Sequence, residues 1–510
     1  MPDGSAGTFG GSPSAVIAEG SAVSNDFGFP IPRRRFLQAG AAFAATSFLP
    51  PGISSAASLD ERRLVVAPGR AQLLGQDRPE TDVWTYAGMF PGPLLRVRQG
   101  QPVRIVVENR LDEDTTVHWH GIRLPNAMDG VPGLTQPPIR PGESFVYEFT
   151  PPDAGTFWYH PHANSLEQLG RGLAGVLIVE EAEPAAVDRD LLWVLRDWRV
   201  TSEGQIASGF GNMMEAGMSG RVGNTITLNG AVPGDQPIHA GERVRLRLVN
   251  VSLARIMSLR FEGHDPVVLA VDGQPCEPHK PDGGRILLGP AMRIDLLIDM
   301  KGEPDGRYRI IDDFYEGLEY ELTRLAYSDA APVRTRFPEP IALPMNPLPE
   351  PDVSAAERLE LILEGGMMSR MMGSGAMGRG MMQGMGGMMG MGQAIWSING
   401  TSMTGDGHAG MTPLFTLARG KTHLITMRNR TAWWHPMHLH GFSFRVLTRN
   451  GVEVPRRQWA DTVLMAPEDT VEAAFVADSP GDWMLHCHVT DHQMAGLMTV
   501  LRVGGAEQVR

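Results

Sequence analysis

Apolar and polar positions alternate from Gly100 to Asn109, and the run closes on Asn nine positions after its Gly. Side chains of a strand alternate between faces, so this pattern predicts a half-buried strand. The same Gly-to-Asn spacing returns at Gly241–Asn250 and at Gly420–Asn429. Along the whole chain 60 Gly and 40 Pro punctuate short β-branched runs, and convincing amphipathic helices are few, which is an all-β signature. Three copies of one strand unit predict three related domains, each a Greek-key β-sandwich. Their expected spans are 59–183, 184–345 and 346–510, with the Pro-rich stretch Phe337–Pro351 leading into the third. A single domain would need one core of ~450 residues, well beyond the usual size.

The copies stay in register beyond the Asn. Nine and eleven positions after Asn109 stand His118 and His120; the same offsets from Asn429 give His438 and His440, but from Asn250 they give Leu259 and Phe261. A second unit behaves alike: five and seven positions after Gly155 are His160 and His162, after Gly481 they are His486 and His488, and after Gly306 they are Ile311 and Asp313. A structural role common to all copies would not produce that split. The paired histidines are read as ligands.

Composition narrows the setting. The 510 residues carry 45 Lys and Arg against 58 Asp and Glu, a net charge of −13, which argues against an electrostatic grip on nucleic acid or anionic lipid. With only Cys276 and Cys487 there is no disulfide framework, and stability must come from burial. Residues 1–32 are rich in Gly, Ser, Ala and Pro and read as unstructured. Arg33, Arg34 and Arg35 then precede Phe36 and Leu37, an apolar run from Ala39 to Leu49 and small residues at Ser54–Ala57. That order is a cleavable export signal, too short to span a bilayer, and it resembles twin-arginine signals, although Pro32 replaces the usual Ser or Thr. The expectation is a disordered N-terminus and signal over 1–57, export by the twin-arginine (Tat) machinery, and a periplasmic or otherwise exported protein without stable membrane insertion.

Ten of the 15 histidines fall in four clusters: His118/His120, His160/His162, His435/His438/His440 and His486/His488/His492, the last enclosing Cys487. In a strand residues i and i+2 share a face, so four His-x-His pairs offer eight imidazoles to one pocket between the first and third domains. Cys487 points away from its flanking histidines and, with His435 and His492, forms a separate His2Cys site of blue-copper type. Zinc is usually satisfied by four ligands, whereas eight imidazoles require several ions. One covalent path joins Cys487 sulfur through its backbone to His486 and His488, a separation on the order of 10 Å. A one-electron inlet wired to a multi-electron sink suits reduction of dioxygen to water.

These four clusters resemble the copper motifs of the three-domain multicopper oxidases (laccases, ascorbate oxidase and bacterial cuprous oxidases), and the likeness covers roughly residues 60–505. It implies three consecutive cupredoxin-like sandwiches and four copper ions. It further implies a type 1 copper on His435, Cys487 and His492, and a type 2 copper on His118 and His438. The type 3 pair would take His120, His160 and His488 on one ion and His162, His440 and His486 on the other. The chain departs from the family at two places. The type 1 axial position is Leu497, with Met498 one residue late and Met494 three early, which predicts a raised potential. Gln493 stands where many bacterial relatives have Glu and cannot donate as an acid, so Asp129, eleven residues after His118, is expected to carry more of the proton traffic. His239, His264, His279, His408 and His423 lack ligand spacing and are read as bystanders, His408 being the one nearest the methionines; Cys276 is read as a buried thiol.

Between Met367 and Met391 lie eleven Met and eight Gly in 25 residues: Met367, Met368, Met371, Met372, Met377, Met381, Met382, Met385, Met388, Met389 and Met391. Gly at that density opposes a core helix, and flexible linkers use Ser rather than thioethers. Thioether sulfur selects Cu(I), so the segment reads as a Cu(I) collector, with Met403, Asp406 and Met411 completing a substrate site and Met213, Met214 and Met218 as a satellite. Copper-tolerance members of the family insert a Met-rich region at this place. The expected reaction oxidises Cu(I) with dioxygen as acceptor; the alternatives are a laccase taking phenols or aromatic amines, and a non-catalytic copper store.

Overall fold

The computed structural model describes residues 60–367 and 394–504, which belong to one unit spanning Ser58–Arg510. The export signal and the methionines from Met368 to Met391 lie outside the described residues. Six sheets are present among the described residues, two each from residues 60–180, 189–327 and 357–504.

The repeated strand occupies the same place in each third. Val103–Asn109, Arg243–Asn250 and Thr422–Asn429 each run parallel to the first long strand of their third, Asp60–Ala71, Arg189–Trp198 and Glu357–Gly365. On the other side each pairs antiparallel with Ser144–Phe149, Arg293–Asp299 or Thr470–Val476. The closing Asn does the same work three times. Asn109 Nδ2 donates to the carbonyls of Glu113 and Ile139, both at 2.8 Å, while its Oδ1 accepts Leu111 N–H. Asn250 ties Arg255 to Leu288, and Asn429 ties Trp433 to Ala466, with the same turn closed two residues on. One amide thus bonds three backbone groups where the chain leaves one sheet for the other.

The second repeated unit forms the facing sheet. His118–His120 pairs with Gly155–His160, Met257–Phe261 with Arg307–Asp312, and His435–Leu439 with Gly481–Cys487. In the middle third Leu259 and Phe261 are buried in the apolar core, where the other two thirds carry imidazole. His162, His440 and His488 lie just past their strands' ends, and His492 sits on the short helix Thr490–Met494.

The middle third carries none of the ten clustered histidines, yet it clamps the other two. Arg293 is fully buried; its Nε donates to Thr156 O at 3.1 Å in the first third, and Nη1 and Nη2 reach the two oxygens of Asp461 in the last, at 2.8 and 2.5 Å. Asp272 accepts the backbone N–H of Thr462 at 3.0 Å and of Arg293 at 3.0 Å, closing the same junction. A buried charge persists only when paired and hydrogen-bonded, and here Arg293 finds partners in both other thirds as well as in its own.

Candidate metal centre

Ten histidines and Cys487 are all at most 2% exposed. Two separate constellations emerge from them. In the first, His435 Nδ1, His492 Nδ1 and Cys487 Sγ converge, with Sγ 3.5 Å from His435 Nδ1 and 3.8 Å from His492 Nδ1. The opposite ring nitrogens are tied down: His492 Nε2 donates to Met218 O at 2.7 Å, and His435 Nε2 lies 2.8 Å from Thr431 Oγ1. Burial pushes the Cys487 thiol up and the His492 imidazole down to about 3. A thiolate forms here only with a cation in the proton's place, which is the condition for a metal site.

The expected axial position is apolar. Leu497 is fully buried in the same core cluster as Cys487. Met498 lies opposite His486, on the face away from Cys487, and packs with Met484 and Val131. Met494 Sδ instead lies 3.7 Å from Ser165 Oγ.

The second constellation gathers the remaining eight imidazoles between the first and last thirds. His162, His440 and His486 come together, as do His118, His120 and His160, and His118, His438 and His440. His488 Nε2 faces His160 Nε2 at 3.4 Å. Most rings have one nitrogen held by an acceptor: His118 Nδ1–H donates to Asp129 O at 2.7 Å, His438 Nδ1–H to Asp461 O at 2.9 Å, and His486 Nδ1–H to Cys487 O at 3.0 Å. Among the described residues the other nitrogens of His118 and His438 have no partner, nor does either nitrogen of His162. Buried polar atoms are normally satisfied, and rings anchored at one nitrogen with the other left open are the hallmark of metal ligation. Burial, with mutual repulsion, holds the rings of His120, His160, His162, His440, His486 and His488 well below the usual imidazole range, so they stand neutral and ligand-ready. The donor set, imidazoles and one thiolate with a single carboxylate, Asp461, grouped with His120 and His438, fits copper.

Two carboxylates grip the histidines from outside. Asp129, 1% exposed, lies with Oδ2 2.8 Å from His440 Nδ1. Asp461 accepts from His120 Nε2 at 3.1 Å; burial alone would raise its pKa, but Arg293 and His438 carry it well below the usual carboxylate range. Sequence reading missed Asp461, which stands in no histidine cluster and arrives because Thr462–Met465 pairs with His435–Leu439. It also missed Trp158, stacked on His160 at 4.2 Å, and Trp396, 4.5 Å from the His492 ring.

The methionines divide. Met218 supplies the carbonyl that holds His492, and Met367 N–H donates to Gly217 O at 2.9 Å, so the Met213–Met218 group sits at the rim of the Cys487 site. Met403 and Met411 pack instead with Met484 and Met498. Asp406 faces Ser165 Oγ at 3.4 Å, and burial pushes its carboxyl up to about 6.

Fold and site together define a copper-dependent oxidase. Models of the multicopper oxidase family match residues 68–184, 189–327 and 387–507, and the chain belongs to that family. MmcO, a multicopper oxidase of Mycobacterium tuberculosis, is 29% identical over 470 residues, 86% of each chain. Copper resistance protein A of Escherichia coli is 30% identical over 308 residues, 51% of this chain and 49% of that one. The crystal structure of a multicopper oxidase from Pseudomonas thermotolerans is similar with a TM-score of 0.75 at 36% identity, over 87% of this chain and 99% of that one.

Proposed function

We propose that this oxidase takes electrons singly from Cu(I), in copper tolerance outside the cytoplasm after twin-arginine export, and delivers four to dioxygen to form water. The ligand sets would be those expected from the sequence: His435, Cys487 and His492 for type 1, His118 and His438 for type 2, and two triads, His120/His160/His488 and His162/His440/His486, for type 3. Copper, four ions when fully bound, supplies the one-electron couples and the reduction of dioxygen.

The chain's own residues do the rest. Cys487 and its neighbours form an unbroken covalent stretch from sulfur to the His486 and His488 rings, and the His486 Nδ1–H bond to Cys487 O at 3.0 Å shortens it. Leu497 and Trp396 exclude water from the Cys487 site. Asp129, bonded through its carboxylate to His440, is the group that holds and passes a proton beside the imidazoles; Gln493, also buried, has no acidic proton to give.

One observation carries the Cu(I) reading. The described residues flanking the methionine-rich segment both leave from the rim of the Cys487 site: Met367 is bonded to Gly217, next to the Met218 carbonyl that holds His492, and Trp396 Nε1–H donates to Ala216 O at 2.6 Å while its ring covers His435 and His492. A phenol or aromatic amine is the second reading. It draws on a cavity of about 580 Å³ beside Met218, lined by Ser219, Arg255, Tyr315 and Tyr320. Oxygen uptake with Cu(I) against a phenol, before and after deletion of 367–391, separates them. Deletion is expected to depress the Cu(I) rate selectively; a Cu(I) rate that survives intact overturns the collector.

A further inference from the structure

Sequence spacing gives His408 no ligand role, yet its environment is that of one. It is 1% exposed, and among the described residues neither ring nitrogen has a hydrogen-bond partner. Leaving two such atoms unpaired in the interior costs on the order of 1–3 kcal/mol each, so an occupant or a function is called for. Its ring centre lies 6.2 Å from that of His162.

Four thioethers accompany it. His408 begins the turn that carries Met411, through the Met411 N–H bond to His408 O at 3.4 Å. The next residue, Ala409, abuts Gly133, where an added Cβ would stand 3.2 Å from Ala409 N. Met411 and Met403 are partly buried against Met484, Met498 and Val131. Strand geometry gives the inner pair its direction: Met484 is two residues before His486, and Met498 lies directly opposite His486. Both therefore share the face of the His486 ring. The four methionines thus run from two partly exposed residues to two with no exposure, the inner pair on the His486 face of the sheet and opposite to Cys487.

We infer that His408 with Met403, Met411, Met484 and Met498 forms a transit site for Cu(I), through which copper is loaded into the His162–His440–His486 set. Soft thioethers and a neutral imidazole bind Cu(I) and release it to a richer imidazole set. The transfer is ligand exchange: thioether bonds break, imidazole bonds form, and the ion keeps its charge. Met403 and Met411 thereby serve loading of the enzyme, distinct from the oxidation of substrate at the Cys487 rim. The inference rests on the reading of His162, His440 and His486 as copper ligands.

The test loads the metal-free full chain anaerobically with limiting Cu(I), given as its acetonitrile complex, and measures copper per chain against time. After brief oxidation, thiolate-to-copper absorption reports the Cys487 site separately. His408→Phe and the double variant Met403→Leu/Met411→Leu are expected to slow copper uptake beyond the Cys487 site at least tenfold, with the Cys487 site filling at the wild-type rate and full loading reached on long incubation. Wild-type kinetics in both variants, or equal slowing at both sites, overturns the inference. His162→Ala separates the underlying reading: it is expected to lower the final copper content, and full copper in that variant overturns the ligand assignment itself.

Discussion

Asp129 holds two histidines at once: its carboxylate lies 2.8 Å from His440 Nδ1 in the last third, and its backbone carbonyl accepts His118 Nδ1–H in the first. The two duties separate by mutation. Asp129→Asn keeps the backbone contact but removes the acid. Copper content should be retained, oxygen uptake should fall by about 10²-fold, and its pH profile should flatten. Unchanged turnover with an unchanged pH profile would exclude proton delivery from Asp129.

Leu497, the residue expected at the axial position of the Cys487 site, offers neither sulfur nor oxygen and is fully buried in the same core cluster as Cys487. Leu497→Met is close to volume-conserving and restores a thioether ligand. The reduction potential of the type 1 copper should drop, as followed by redox titration of the thiolate-to-copper band, and no drop would mean that Leu497 does not face the metal.

The Arg293–Asp461 pair is buried on both sides and joins two thirds of the molecule. Arg293→Leu would strand Asp461 and Asp272 as unpaired acids. Unfolding free energy should fall by about 3–5 kcal/mol, and a loss under 1 kcal/mol in denaturant melts would show the junction to be held otherwise.

Asp406 gives a signed pH dependence. Burial raises its carboxyl from 3.8 to about 6 in the folded chain, so its contribution to stability is fully present below pH 3.8 and is lost as pH rises through about 6. Asp406→Asn should therefore be more stable than the wild type at pH 8, by up to about 3 kcal/mol, with the advantage shrinking towards pH 4. Thermal melts at the two pH values check this; an advantage independent of pH would place the effect elsewhere.

What was legible in the sequence was whatever is written at short range. The strand unit ending in Asn109, Asn250 and Asn429 could be read because its spacing repeats, and the histidine pairs because a two-residue period places both rings on one face. The family and its all-β architecture followed from them. Asp461 could not be read, since nothing near it in the chain marks it as a partner of His120 and His438; strand pairing delivers it. The same holds for Met218, whose carbonyl reaches His492 across 274 positions. For Met403 and Met411 the sequence offered no direction, because the face they pack against belongs to Met484 and Met498, on other strands.

The middle third, closed by Asn250 and filled by Leu259 and Phe261, is an internal control supplied by the molecule itself. It demonstrates that this sandwich shuts on amide and hydrocarbon, with no metal required at the register positions its siblings give to imidazole. Copper chemistry is therefore a rewritable layer on an indifferent scaffold. An engineer could aim to inscribe a new centre there by exchanging Leu259 and Phe261, leaving the asparagine tie to keep the shape.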